Sequence, residues 1–172
     1  MDFSAFTKTE IDELFNTMAS RLPPEALRLA EQEFGGREGW RAHYAEVMAR
    51  PELQAQYRKM FEWYGGKDAY LGTLRSPLPA EVVQSYQTRL DDILRRLAAQ
   101  RGCPPDSFAV KQLVGEYGFV TKQLTRIRDE RPMLLAAAAG YRGETLAAKV
   151  DALYGEGASA FFAEAFEAFC KK

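Results

Sequence analysis

The chain has 172 residues, with 23 basic against 24 acidic side chains for a net charge of −1, and 47% of its residues are hydrophobic. That length suits one domain, or one domain with an extension, and it can bury about two thirds of its unfolded surface without disulfides or a structural metal. The balanced charge provides no basic face for nucleic acid. No window has the apolar length of a bilayer span, and Met1-Asp2-Phe3-Ser4 has neither the basic nor the apolar part of a secretory leader. A cytoplasmic location is the expectation. Cys103 and Cys170 lie far apart and form no metal-binding or redox spacing, which predicts two reduced thiols.

Taken in order, nearly every segment repeats at helical period. The first helix, 8–22, opens after Thr7 or Thr9 and places Ile11, Leu14, Phe15 and Met18 on one face. Pro23-Pro24 break it, with Pro24 suited to the first turn of a second helix that runs to Gly35-Gly36. A third helix carries Trp40, Tyr44 and Met48 from about Arg37 to Ala49. A fourth starts at Pro51, carries Leu53, Tyr57, Met60 and Phe61, and ends at Gly65-Gly66. The sequence from Glu33 to Trp40 echoes the sequence from Trp63 to Tyr70, offset by thirty: aromatic, Gly-Gly, basic, acidic, small, aromatic. This pattern predicts two similar helix–turn–helix corners.

The longest predicted helix spans 79–101, where Val82, Val83, Tyr86, Leu90, Ile93, Leu94 and Leu97 form a broad apolar stripe. Gly102 and Cys103-Pro104-Pro105 make the next turn, and Asp106 or Ser107 caps a helix reaching about Ile127. Pro132 is expected to begin a Leu/Ala-rich helix that ends near Tyr141, followed by a helix over 144–153. Gly155-Glu156-Gly157 then turns the chain into a last helix, where Phe161, Phe162, Phe166 and Phe169 recur at spacings of three and four. No segment alternates with period two. The predicted class is all-α: a globin-like or orthogonal helical bundle (61–172) with an N-terminal helical extension or lid (1–60).

Catalytic patterns are missing. His43 is the sole histidine, so a multi-histidine zinc site is excluded, and nothing marks a haem pocket around it. There is no phosphate loop, dinucleotide fingerprint, nucleophile elbow or zincin motif. Asp91 and Asp92 occupy adjacent helix positions about 100° apart and read as a solvated face. No enzyme activity, metal or cofactor is expected.

The segment Glu62-Trp63-Tyr64-Gly65-Gly66-Lys67-Asp68-Ala69-Tyr70 resembles the opening signature of the TipAS antibiotic-recognition domain of MerR-type transcriptional regulators. The order that follows is similar to that family's as well. It comprises a linker with a Ser-Pro turn, a long helix, a second long helix from Val110-Lys111-Gln112-Leu113-Val114, Met133-Leu134-Leu135-Ala136 leading to Gly140-Tyr141, and a Gly-Glu-Gly-Ala ending from Tyr154 to Phe166. The resemblance covers about residues 60–172. The chain departs from the pattern at Tyr64, which separates Trp63 from Gly65, and at Gly143-Glu144.

The resemblance implies a globin-like helical domain that binds a peptide-like or other small-molecule antibiotic in a cleft between helices. DNA would be contacted only through a separate winged helix-turn-helix domain. A free-standing antibiotic-sequestering resistance protein and a helical protein–protein interaction module are the alternatives, and a homodimer stays open. Aromatic side chains with one polar handle suit amphipathic ligands, so the candidate ligand-binding residues are Trp63, Tyr64, Tyr70, Tyr117, Tyr141 and Tyr154, each near a helix end and each equally able to cap the core. Some members of the resembled family capture dehydroamino-acid antibiotics with a cysteine of the N-terminal part. Residues 1–60 contain none, which leaves Cys103, in its Gly-Cys-Pro-Pro turn, as the candidate for covalent capture or as an unreactive turn thiol.

Overall fold

The computed structural model describes residues 5–171. Those residues form ten α-helices and no strand: α1 Lys8–Ser20, α2 Pro24–Glu33, α3 Arg37–Met48, α4 Pro51–Tyr64, α5 Lys67–Arg75, α6 Ala80–Ala98, α7 Phe108–Thr125, α8 Glu130–Tyr141, α9 Glu144–Tyr154 and α10 Ala158–Cys170. The fold is all-helical. The chain packs as two compact units, residues 1–62 and residues 63–172.

In the first unit, Thr7 starts α1 through a capping box. Its hydroxyl accepts from the Glu10 amide at 3.2 Å while the Thr7 amide donates to the Glu10 carboxylate at 2.8 Å. The core is built on Phe15, Ala19 and Trp40, with Met18, Leu22, Leu27, Phe34 and Tyr44 packed around them. Phe15 is fully buried and meets Trp40 edge-on at 4.9 Å. His43 is exposed and stacks on Phe34 at 4.7 Å, a surface aromatic pair.

The thirty-residue echo is a repeated backbone device. Gly35 and Gly36 have φ of 74° and 121°, and Gly65 and Gly66 have φ of 87° and 134°. Residues with a Cβ rarely adopt two such values in succession, so glycine at both positions lets one helix end and another begin within two or three residues. The aromatic four residues past each second glycine closes the first turn of the new helix, Trp40 onto the Gly36 carbonyl and Tyr70 onto the Gly66 carbonyl. The linker expected after Tyr70 is accordingly shorter than the sequence suggested, because α5 continues to Arg75.

In the second unit, α10 is the central helix. Ala158, Phe162, Ala163, Ala165 and Phe166 are fully buried, and α6, α7, α8 and α9 all pack on it. Ile93 and Leu97 come from α6, Val110 and Val114 from α7, Leu134 and Ala138 from α8, and Val150 from α9. The entry to α10 is held by polar bonds: the Ser159 amide donates to Asp151 at 2.9 Å and the Ser159 hydroxyl to the Tyr141 carbonyl at 2.6 Å. Gly155 suits this turn because its φ of 114° is one that residues with a Cβ rarely adopt, and the Arg101 guanidinium lies against it while donating to the Glu156 carbonyl at 2.7 Å.

Three helix starts and ends differ from the sequence expectation. α8 begins at Glu130, two residues before Pro132, because Asp129 caps it by accepting from the Arg131 amide at 3.1 Å. Proline is tolerated at the third position because the first four amides of a helix lack intrahelical partners anyway. Ser107 is the N-cap residue of α7 but makes no capping bond, and its Oγ is buried without a hydrogen-bond partner among the described residues. α7 ends at Thr125, with Arg126 in the left-handed conformation at φ 61°. That costs a non-glycine residue about 1–2 kcal/mol. It is offset by the Arg126 guanidinium, which donates to the carbonyls of Thr73 and Ser76 at 2.6 and 2.7 Å.

Phe162→Ala should destabilise the chain by about 3–5 kcal/mol, whereas Phe119→Ala, at a side chain 59% exposed on α7, should stay within about 0.5 kcal/mol. Urea unfolding midpoints at constant slope check both values.

Candidate functional site

The six candidate aromatics fall into two groups within the second unit. Trp63, Tyr64 and Tyr70 gather at the α4–α5 corner, with Tyr64 and Tyr70 edge-on at 5.2 Å. The Trp63 carbonyl accepts from the Arg128 amide at 2.6 Å, which ties this corner to the α7–α8 turn. Burial raises the Tyr64 phenol above its usual range, and the nearby Arg126 opposes that shift. The corner is structurally occupied: its polar atoms serve to dock α5.

Tyr117, Tyr141 and Tyr154 form the second group, although they come from α7, α8 and α9. Their rings rest on the same two phenylalanines of α10. Tyr117 lies 5.1 Å from Phe166, Tyr141 lies 5.5 and 5.7 Å from Phe162 and Phe166, and Tyr154 lies 5.7 Å from Phe162. Burial, followed by the neighbouring Tyr117 phenol, pushes the Tyr141 phenol far up. Burial also raises Tyr117. For Tyr154, burial and then the bond to Asp91 move the phenol up to about 12. All three phenols are therefore neutral donors at ordinary pH.

Two further residues belong to this group and were not legible as part of it. Asp91, read from the sequence as part of a solvated face, keeps an exposed side chain but has two partners. It accepts from the Tyr154 hydroxyl at 2.7 Å and from Arg95 Nε at 2.8 Å. The Tyr154 bond, then Arg95, hold its carboxyl below the usual range. The Arg95 guanidinium also sits 5.5 Å from the centre of the Tyr154 ring. The Tyr154 bond follows from position: Asp91 stands at the edge of the α6 stripe, where a side chain of α9 can reach it. Asp92 stays exposed and pairs with Arg96 at 3.1 Å. Tyr86, Leu90 and Leu94 of α6 and Met133 and Ala137 of α8 pack partly buried against the same core. The result is an apolar floor with half-buried aromatic walls and a polar edge. Such a surface can hold an amphipathic molecule and orient it by a few hydrogen bonds.

Three grooves lie elsewhere and are lined mainly by charged side chains. One of about 420 Å³ runs between Asp106, Lys111, Glu164, Glu167 and Lys171, one of about 320 Å³ lies beside Arg89, Asp92, Arg96 and Glu116, and one of about 310 Å³ borders Asp129, Glu130, Arg131 and Cys170. Both cysteines are free. Cys103 is exposed in its turn, and Cys170 is buried, which pushes its thiol up. Among the described residues no group of three or more His, Cys, Asp or Glu side chains is placed to hold a metal ion, and no helix is long and apolar enough to cross a membrane. The chain matches no family model, no curated protein and no solved structure.

The pH dependence follows from these shifts. A phenol raised in the folded state stabilises the fold fully below the unfolded value of about 10, and that contribution is lost as pH rises toward about 12, where Tyr154 and Tyr44 ionise. Stability should therefore fall between those limits, with a late phenolate absorbance step that shrinks in Tyr154→Phe. Asp91 runs the other way: its contribution is present above the ordinary carboxylate range and is lost as pH falls through its depressed value. In Tyr154→Phe the Asp91 carboxyl should titrate at higher pH, as read by NMR of the side-chain carbon.

Proposed function

We propose that this chain is a ligand-recognition module that binds an amphipathic, peptide-like small molecule, such as an antibiotic, and has no enzymatic activity. The observation that carries this reading is that the Tyr117, Tyr141 and Tyr154 rings share the Phe162–Phe166 floor, with the Tyr154 hydroxyl bonded to Asp91 and Asp91 to Arg95 at its edge. A purely structural core has no need of three phenols at one edge, because each buried hydroxyl must be hydrogen-bonded to avoid a desolvation penalty of about 1–3 kcal/mol. Here the Tyr154 hydroxyl bonds the Asp91 carboxylate at a partly exposed rim, with the Tyr117 and Tyr141 rings beside it on the same floor. A ligand can join that network.

The resemblance of residues 60–172 to TipAS domains points to the same use and suggests a globin-like arrangement of the helices. The module would act as the sensor of a MerR-type regulator. Ligand would favour one arrangement of the helices, and the shift would pass to a winged helix-turn-helix domain that carries the DNA contacts. Without that domain the same site would sequester the drug and confer tolerance by binding alone. Cys103 lies outside the tyrosine group, so non-covalent capture is the form proposed.

Thermal unfolding against a panel of antibiotics and amphipathic peptides tests this. A ligand at a hundredfold excess over its Kd should add about 2.7 kcal/mol. Tyr117→Phe, which keeps the ring and removes the hydroxyl, should weaken binding roughly three- to tenfold. A panel with no saturable shift at high concentration would sink the proposal and favour a protein–protein interaction module.

A further inference from the structure

The first unit holds a pair of arginines that converge on one side-chain acceptor. Arg95 has Asp91, Arg96 has Asp92 and Glu116, and Arg142 grips both oxygens of Glu167 at 2.9 and 2.8 Å. Arg37 and Arg41, one turn apart on α3, instead share a neutral acceptor. Both donate to Asn16 Oδ1 of α1, at 3.5 and 3.4 Å. Charge-assisted bonds from guanidinium normally close to about 2.7–2.9 Å, so these two are loosely held. Both guanidiniums lie over the buried ring of Phe15, at 5.5 and 5.4 Å. Among the described residues Arg37 pairs with Glu31, at 4.0 Å. Arg41 Nε is buried with no hydrogen-bond partner among the described residues.

We propose that Arg37, Arg41 and Asn16 form a binding site for a tetrahedral, phosphate-type dianion, separate from the tyrosine site. Two positive charges converge against an aromatic floor on one neutral acceptor, and the ion pair from Arg37 to Glu31 is a long one. A guanidinium fork takes two oxygens. Two forks sharing one oxygen need three, which a phosphate group supplies and a carboxylate does not. Rotation of the Asn16 amide by 180° turns its NH₂ toward the anion as a further donor. The source is either the free ion or a small molecule carrying a terminal phosphate.

The test measures unfolding temperature of the full chain against inorganic phosphate at ionic strength held constant with chloride, with acetate and phenyl phosphate as parallel arms. Phosphate should raise the midpoint saturably and acetate should not. Phenyl phosphate binding more tightly than phosphate assigns a carried group, and equal or weaker binding assigns the free ion. Arg41→Gln should weaken the response about tenfold or more. Arg41→Lys, which keeps the charge and the stem, should weaken it in the same direction and covers the case in which Arg41→Gln fails to fold. Asn16→Asp should raise the midpoint without phosphate and abolish the response, because it supplies the missing charge from within. An equal response in wild type, Arg41→Lys and Asn16→Asp, or acetate as effective as phosphate, would overturn the proposal.

Discussion

The burial of α10 is the constraint on which the second unit depends. Its sequence is unusually apolar, and four helices must surround it for its polar backbone neighbours and phenylalanines to leave water together. Phe162 and Phe166 lie one turn apart and are fully buried. Packing at interior density leaves little freedom in where the covering helices can lie. The ends of α8 and α9 are tied to the start of α10 through Tyr141, Asp151 and Ser159, so the covering helices are fixed by hydrogen bonds as well as by area.

That arrangement explains why the polar groups of the tyrosine site are where they are. A tyrosine placed at the boundary between a dry core and water can bury its ring and keep its hydroxyl bonded. Tyr117, Tyr141 and Tyr154 each occupy such a position, and the floor they share brings their rings together. The polar edge supplied by Asp91 and Arg95 comes from a fourth helix. The site is thus a by-product of how the helices are layered on α10, and its geometry is as rigid as the core beneath it.

The first unit reaches a comparable local order with far less apolar material. Its core is small, built around Phe15 and Trp40, and two arginines lie across the aromatic floor as lids. The Gly-Gly corner is used twice, once at 35–36 and once at 65–66, with matching backbone conformations. In both places it joins two helices through a turn of two or three residues, and the stem of Arg128 lies close to the second copy at Gly65.

Much of the helical layout was legible because its signals are local: apolar residues at spacings of three and four, Thr7 with Glu10, proline at helix starts and paired glycines at helix ends. The misreadings were also local. Pro132 marks a start that Asp129 makes two residues earlier, Ser107 holds the N-cap position without a capping bond, and Arg126 carries no local sign of a left-handed stop because the bonds that hold it go to Thr73 and Ser76, some fifty residues away. The sequence by itself determined that this chain is helical, and which aromatics stand near helix ends. Only the tertiary structure decided that Tyr117, Tyr141 and Tyr154 meet each other and Asp91, while Trp63, Tyr64 and Tyr70 gather at a separate corner. Residue periodicity records which face of a helix is buried, but not which other helix covers it. Contacts between α6, α7, α8, α9 and α10 depend on how those faces pack in three dimensions.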